Sequence, residues 1–195
     1  MRNPKQTLIW LKRFRNRCGY GVHSPFAFNF ITNVIYEKAM YYAYSEIEKA
    51  ESGRSTKVNR LLFRLVNSVQ PLTILHAGKS GMAALYLQAA KKTARYIPLA
   101  SEDVSHLLPL QQVDFLYIDR PENVALVRQL YECGVSQTGH RSMIVIGGIY
   151  RSTAMKTFWK QAVADQRVGI TFDLYDLGIL FFDRSKIKQH YVVNF

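Results

Sequence analysis

Two different patterns of apolar residues divide the chain near residue 72. Before it, apolar side chains recur every three or four positions, as Leu61, Leu65 and Val69 do, and this spacing places them on one face of a helix. After it, short apolar runs alternate with helical segments. We therefore predict an N-terminal helical region, residues 1–71, packed on an α/β domain, residues 72–195, in a single structural unit.

Capping signals set the predicted bounds of the N-terminal helices. Asn3 and Pro4 can begin a basic amphipathic helix that continues to Gly19, and Ser24 with Pro25 can begin the next one. Proline at 71 should end the last helix, because the residue before a proline disfavours helical backbone. The predicted helices are residues 4–18, 25–38, a short segment that ends at Gly53, and 56–69.

The second part of the chain has the alternation that is typical of a parallel sheet covered by helices on both faces. Its strands are predicted in the runs TILHA (73–77), RYIPLA (95–100), VDFLYID (113–119) and MIVIGG (143–148), and its helices over 81–92, 101–108, 122–132 and 152–164. The segment VGITFDLYDLGILFFD indicates two antiparallel strands around Asp176-Leu177-Gly178, and HYVVNF indicates a closing strand.

A glycine loop follows the first predicted strand. Gly78-Lys79-Ser80 is not a phosphate loop, because that motif requires a glycine where Thr73 stands. Gly78 and Gly81 do not match the dinucleotide motif G-x-G-x-x-G either. The pattern that remains is a general turn from a strand into a helix.

The charge of the chain is basic and unevenly placed. The net charge is +12, and the first acidic residue, Glu37, comes after Arg2, Lys5, Lys12, Arg13, Arg15 and Arg17. Such a patch can meet nucleic acid, an anionic membrane surface or an acidic partner. No nucleic-acid motif accompanies it, so we favour a solvated helix face.

The cysteines and the apolar runs indicate the cellular setting. Cys18 and Cys133 match neither a paired metal-ligand spacing nor a disulfide framework, which fits a reducing environment. Apolar runs such as MIVIG are too short to cross a bilayer. We therefore expect a cytoplasmic protein without membrane insertion.

Two segments resemble class I S-adenosylmethionine-dependent methyltransferases. GYGVHSPFAFNFITNVIYEKAMYYAYSEIE, residues 19–48, is similar to the N-terminal signature of a bacterial group that carries a His-Ser-Pro-Phe segment, and residues 152–182 resemble that group's last helix and hairpin. The resemblance implies a Rossmann-like α/β sheet with parallel strands and a C-terminal antiparallel hairpin.

The resemblance also implies a cofactor site. In that family the loop after the first strand approaches the methionine part of S-adenosylmethionine, which maps here onto Ala77, Gly78, Ser80 and Gly81, with Asp119 completing the set. Glycine in this loop would leave space for the ligand.

Three departures from the family pattern predict weak or absent cofactor binding. His76 stands where an acidic residue normally ends the first strand. The ribose acid has only Glu102 or Asp103 as a substitute, and either can equally cap a short helix. Residues 91–112 are too few for two strand–helix units, since one such unit takes roughly 30 residues, so the sheet should be one unit short.

No metal site is predicted. Related oxygen methyltransferases place acidic residues after two neighbouring strands to hold a divalent cation. Asp119 keeps the first of these positions, but Gly147-Gly148 stands where the acidic pair would be, so the oxygen ligands are missing. Asp119 is then expected to cap the helix that follows it.

Other candidate residues favour structural roles. Ser24 should cap the helix at Pro25 rather than act as a nucleophile with His23. No metal-ligand spacing links the scattered histidines, and apolar packing is the favoured role of the tyrosine cluster, with an aromatic pocket as the alternative. These residues are His106, His140 and His190, and Tyr41, Tyr42 and Tyr44.

Two functions remain open. The first is a methyltransferase that acts on an unknown small-molecule acceptor without metal and with an unidentified base. The second is a non-catalytic descendant that binds a protein partner, for which the basic N-terminal helix is the candidate surface. Cofactor binding distinguishes them, because methyl transfer requires it and a scaffold does not.

Overall fold

A mixed β-sheet forms the centre of the computed structural model, which describes residues 11, 13–50, 56–79, 81–99, 112–119 and 122–195. Its strands are β1 (Thr73–Ala77), β2 (Arg95–Leu99), β3 (Val113–Ile118), β4 (Thr138–Gly147), β5 (Ile170–Asp173), β6 (Leu177–Phe181) and β7 (Gln189–Val192). The α-helices are α1 (Pro25–Phe30), α2 (Tyr42–Ala50), α3 (Lys57–Val69), α4 (Gly81–Ala90), α5 (Val124–Ser136) and α6 (Thr153–Ala164).

The strand order in the described residues is β2-β1-β3-β4-β6-β5-β7. Strands β2, β1, β3 and β4 are mutually parallel, whereas β6 is antiparallel to both β4 and β5. β7 returns to pair in parallel with β5. The predicted Rossmann-like sheet, with parallel strands followed by an antiparallel hairpin, is confirmed.

Successive residues along a strand point to opposite faces of the sheet and belong to two separate hydrophobic cores, one on each face. Ile74 belongs to the core that includes Phe30 of α1, and its neighbour Leu75 belongs to the core that includes Phe158 of α6. The Phe30 and Phe172 rings lie 4.7 Å apart between centroids, so α1 packs directly on the sheet. Helices therefore cover both faces, as the alternation of apolar runs predicted. None of the helices in the described ranges is long and apolar enough to span a membrane.

Leu11 is helical as predicted for the basic helix, but the described residues from Arg13 onward have a different conformation. Residues 1–10 and 12 lie outside the described residues, but Phe14–Asn16 form only a 3₁₀ turn and Cys18 has a left-handed φ of 52°. Arg13 pairs with Asp173, and the carbonyl of Asn16 accepts a hydrogen bond from the amide of Asn194. Contacts with the C-terminal strands thus override the helical spacing of the apolar residues.

Helix α1 ends earlier than predicted, through one π-helical turn over Ile31–Ile35. The buried side chain of Arg64 on α3 donates to the carbonyls of Val34 (2.6 Å) and Ile35 (2.9 Å). These carbonyls therefore obtain hydrogen bonds without further helix, and the chain turns away.

Three other predicted bounds also change. β4 begins at Thr138, five residues before the apolar run, because its polar start also pairs with β3. α5 extends to Ser136, and Leu177 and Gly178 lie inside β6 rather than in the turn.

The predicted helix over 101–108 lies outside the described residues. Between Gly81 and Val113 the described residues hold one strand, β2, and residues 100–111 lie outside them, so a sheet that is one unit short stays a prediction.

Candidate functional site

The order of the parallel strands reverses at β1, which lies between β2 and β3. The connection after β1 leads to one side and the connection after β2 returns to the other. In open α/β sheets, a crevice forms outside the carboxyl ends of the strands at such a reversal, and ligands bind there. Ala77 ends β1, Gly78 follows it, and Asp119 follows β3, so the topology places these three predicted residues at this crevice.

Gly78 and Asp119 are in contact across the crevice. The amide of Asp119 donates to the carbonyl of Ala77 at 2.8 Å. A Cβ built on Gly78 would lie 2.5 Å from the Cβ of Asp119, closer than two such atoms can approach. The Asp119 side chain therefore favours glycine at 78, and the expectation that this glycine leaves space for a ligand stays a prediction.

Asp119 does not cap the following helix, so that expectation is wrong. The cap of α5 is Asn123, whose side chain accepts a hydrogen bond from the amide of Ala125 at 2.9 Å. Asp119 Oδ1 instead accepts a hydrogen bond from the Tyr117 hydroxyl at 2.9 Å. The Asp119 carboxylate is half-buried and lies at the crevice. The hydrogen bond from Tyr117 of β3 holds it there.

His76 is buried at the end of β1. Its Nδ1 lies 2.8 Å from the Tyr96 hydroxyl, and its ring stacks on Tyr117 with centroids 5.2 Å apart. Its Nε2 is buried and has no hydrogen-bond partner among the described residues, and it would lie 3.1 Å from a Cβ at Gly78. An unsatisfied buried nitrogen is costly, and it marks the point where a ligand can supply a partner.

Burial lowers the pKa of His76, and the Asp119 carboxylate opposes this shift only in part. The imidazole is therefore neutral at neutral pH. The methyltransferases that the sequence resembles normally have a negatively charged carboxylate at this position. Neither Tyr96 nor Tyr117 was identified from the sequence as part of the site. No local motif contains them, since they meet His76 only through the pairing of β1 with β2 and β3.

The remaining predicted cofactor residues are less constrained. Gly81 is the first residue of α4, and a Cβ there would meet no atom of the described residues within 4 Å. Ser80, Glu102 and Asp103 lie outside the described residues. The structure thus brings together Ala77, Gly78 and Asp119, and it leaves open space at Gly81.

Gly147 and Gly148 have a structural role beside this crevice. Gly147 ends β4 opposite Leu177, and Gly148 has a left-handed φ of 65°, where its amide donates to the carbonyl of Asp176 at 2.7 Å. Glycine therefore fits the connection between β4 and the hairpin. In the part of the chain that the structure describes, no group of three or more His, Cys, Asp or Glu residues could hold a metal ion.

Two of the other candidate groups have structural roles. The side chain of Ser24 accepts a hydrogen bond from the amide of Ala27, as a helix cap does, and His23 is exposed. Tyr44 is buried against Phe63, with ring centroids 5.2 Å apart, which confirms packing for this member of the tyrosine cluster. Tyr42 is exposed. Among the histidines, His140 approaches Asp183 at 3.4 Å, His190 lies against Thr171, and His106 lies outside the described residues.

Solved methyltransferases have a similar fold. The chain resembles the SAH-bound Podospora anserina methyltransferase PaMTH1 with a TM-score of 0.56 and 11% identity, over 93% of this chain and 97% of that one. It resembles a methyltransferase from Geobacter sulfurreducens with a TM-score of 0.55 and 10% identity, over 75% and 92%. Neither a family model nor a curated protein matches the sequence. The likeness therefore establishes a methyltransferase-like fold.

Proposed function

We propose that this protein is a methyltransferase-like protein whose crevice between β1 and β3 binds S-adenosylmethionine weakly. The observation that carries the proposal is the buried Nε2 of His76, which finds no hydrogen-bond partner within the described part of the chain and lies beside Gly78 and Asp119 where the strand order reverses. The residues proposed to line the cofactor site are Ala77, Gly78, Ser80, Gly81 and Asp119. When bound, the cofactor would supply an activated methyl group for a small-molecule acceptor.

The chemistry of these residues fits part of such a ligand. S-adenosylmethionine carries positive charge at its sulfonium and its amino group, and the Asp119 carboxylate can attract either one. The neutral His76 can accept a hydrogen bond at Nε2 only in the tautomer that donates from Nδ1 to the Tyr96 hydroxyl oxygen. Gly81 leaves space for a ligand next to the start of α4.

The replacement of an acid by His76 is the reason for weak affinity. A hydrogen bond to a charged group contributes about 1.5–3 kcal/mol, and a neutral imidazole supplies less. The loss of one such bond weakens binding by about one to two decades, at about 1.4 kcal/mol per decade. A catalytically degenerate protein is therefore part of this proposal.

The same replacement also favours the second candidate function, a non-catalytic binding protein. A protein that no longer transfers methyl groups does not need a carboxylate at the end of β1. In this case the basic N-terminal segment would meet a partner, and most of that segment lies outside the described residues.

Isothermal titration with S-adenosylmethionine and with S-adenosylhomocysteine tests the proposal. We expect saturable binding weaker than the micromolar range, which Asp119→Asn weakens further because it removes charge while keeping the shape. The matched control is Glu132→Gln, which removes an exposed acid near the C-terminal end of α5. A dissociation constant in the low micromolar range contradicts the weak site, and the absence of saturable binding favours the non-catalytic function.

A further inference from the structure

A second cleft opens beyond the carboxyl end of β4 and is separate from the His76 crevice. Its volume is about 560 Å³, and its walls include Arg13, Tyr150, Arg151, Ser152, Lys156 and Tyr175. Small-molecule sites have volumes of about 300–1,000 Å³, so the cleft can hold a metabolite-sized ligand. We refer to it as the basic cleft.

One buried carboxylate holds three of these walls in place. Asp173 is 1% exposed and accepts hydrogen bonds from Arg13 Nη1 at 2.8 Å, the Tyr150 hydroxyl at 2.6 Å and the Tyr175 amide at 2.9 Å. The Tyr150 and Tyr175 rings stack with centroids 5.1 Å apart. The shape of the basic cleft is therefore set before any ligand binds, which lowers the entropy cost of binding.

Among the described residues that line the basic cleft, the charged side chains are all basic: Arg13, Arg151 and Lys156. Asp173 balances the guanidinium of Arg13, and Glu122 lies 3.8 Å from Arg151 with its side chain 90% exposed, where water screens the pair. Lys156 projects from the second turn of α6 to within 5.9 Å of the Tyr150 ring centroid. The start of α6, capped by Ser152, adds the positive end of a helix dipole.

Tyr150 contributes a neutral wall rather than a second negative charge. Burial and the hydrogen bond to the Asp173 carboxylate raise the pKa of Tyr150 to about 12. Its phenol therefore stays protonated at neutral pH. An anion in the basic cleft would meet the Lys156 ammonium group, with the Arg151 guanidinium in the same wall, beside the neutral Tyr150 phenol.

The basic cleft and the His76 crevice lie along the same edge of the sheet. Ile118 pairs with Ile146, so β3 and β4 end side by side, with Asp119 following the first and Gly148 the second. Neighbouring strands are about 4.8 Å apart. A ligand in one site would therefore be close to a ligand in the other.

We propose that the basic cleft binds a small molecule that carries a carboxylate or a phosphate group, and that this molecule is the methyl acceptor. Binding of the anion follows from the cleft alone. The acceptor role rests on the proposed function, because it requires a cofactor in the neighbouring crevice.

The test is a titration of the full-length protein, without cofactor, by phenyl phosphate, benzoate and neutral phenol, followed by amide chemical shifts. We expect both anions to shift the amides of Ser152 and Thr153 saturably, and phenol to bind at least tenfold more weakly. Lys156→Gln should weaken anion binding by about threefold to tenfold, since each charge near an anion contributes about 1 kcal/mol at the surface. Lys160→Gln, an exposed lysine on the same helix but outside the cleft walls, is the matched control.

The outcomes separate this proposal from the cofactor proposal. Binding of benzoate alone assigns a carboxylate, and binding of phenyl phosphate alone assigns a phosphate; either result supports an anion site. Equal binding of phenol, or equal effects of Lys156→Gln and Lys160→Gln, would overturn it. A failure to bind S-adenosylmethionine with intact anion binding would remove only the acceptor role.

Discussion

At the scale of single residues, the contact between Gly78 and Asp119 determines the shape of the His76 crevice. The strand–loop–helix pattern singled out Gly78, and the resemblance to methyltransferases singled out Asp119. Their contact was not predictable from spacing, because 41 residues separate them and parallel pairing of β1 with β3 brings them together. Gly78 stays a predicted cofactor residue, and its close approach to Asp119 is a second constraint that the sequence did not reveal.

Gly78→Ala should destabilise the fold or displace Asp119. The added Cβ would lie 2.5 Å from the Asp119 Cβ, and overpacking of this kind costs about 1–3 kcal/mol. Gly81→Ala is the matched control, because its Cβ meets no atom of the described residues within 4 Å and alanine favours the helix that begins there. Urea denaturation compares the free energies of unfolding. Equal values for the two variants would mean that Asp119 moves without cost.

The burial of His76 should make stability depend on pH. Because the folded-state pKa of His76 lies below the unfolded value of about 6.5, the unfolded chain binds more protons as the pH falls through that value. The contribution of His76 to the free energy of unfolding is therefore fully present above about pH 6.5. It decreases as the pH falls below that value, and the decrease ends below the folded-state pKa of His76.

Substitution of His76 by glutamine isolates this effect. Glutamine can still form a hydrogen bond with the Tyr96 hydroxyl but does not titrate. His76→Gln should therefore lose less free energy of unfolding than the unchanged protein between about pH 6.5 and 5. This range lies above the pKa values of ordinary carboxylates. His190, whose pKa burial also lowers, keeps its own contribution in both proteins. His23→Gln, at an exposed position, is the control. An unchanged pH profile in His76→Gln would show that His76 is not responsible.

At the scale of elements, hydrogen bonds from elsewhere in the chain determine where helices end. Apolar spacing alone predicted α1 to residue 38, and it correctly predicted α3 up to its left-handed end at Gln70 before Pro71. The difference is that local residues end α3, whereas Arg64 ends the segment after α1 from 29 or 30 positions away. A sequence pattern can reveal the first kind of signal and not the second.

Arg64→Met should therefore destabilise the protein more than Arg60→Met on the same helix. Arg64 is buried and serves two carbonyls, so its loss leaves both without partners and should cost about 2–4 kcal/mol. Arg60 pairs with Glu48 at 2.8 Å with both side chains about one-third exposed, so its loss should cost about 1 kcal/mol or less. Thermal and urea unfolding measure both. A similar cost for the two variants would contradict a capping role for Arg64.

At the scale of the whole molecule, the sequence predicted the fold class more completely than the site. Alternation of strands and helices predicted the parallel sheet and its hairpin, since buried parallel strands require continuous apolar runs. The strand order, with β7 beside β5, joins segments far apart in sequence and has no local signal. The walls of the basic cleft come from residues 13, 150–156 and 175, which explains why no motif revealed it.

The N-terminal helices and the sheet should fold as one unit, because they share one core. Phe30 of α1 contacts Phe172 and Phe181 on the sheet, with ring centroids 4.7 and 5.0 Å apart. A polypeptide of residues 72–195 would expose this face, including Ile179, which is fully buried in the intact chain. Exposed apolar area costs about 25 cal/mol per Å², and a domain has only about 5–15 kcal/mol of net stability.

We therefore expect residues 72–195 alone to lack dispersed amide chemical shifts and cooperative unfolding, and we expect the addition of a separate polypeptide of residues 1–71 to restore both. The addition of residues 1–71 is the essential experiment. If it restores the fold, residues 72–195 failed to fold alone because they lacked the N-terminal part of the core, and not because the truncation made them unable to fold. The intact chain should unfold in one transition in which tryptophan fluorescence and far-ultraviolet circular dichroism coincide. A native-like spectrum for residues 72–195 by themselves would show that the α/β part is an independent domain and that the N-terminal helices are an addition to it.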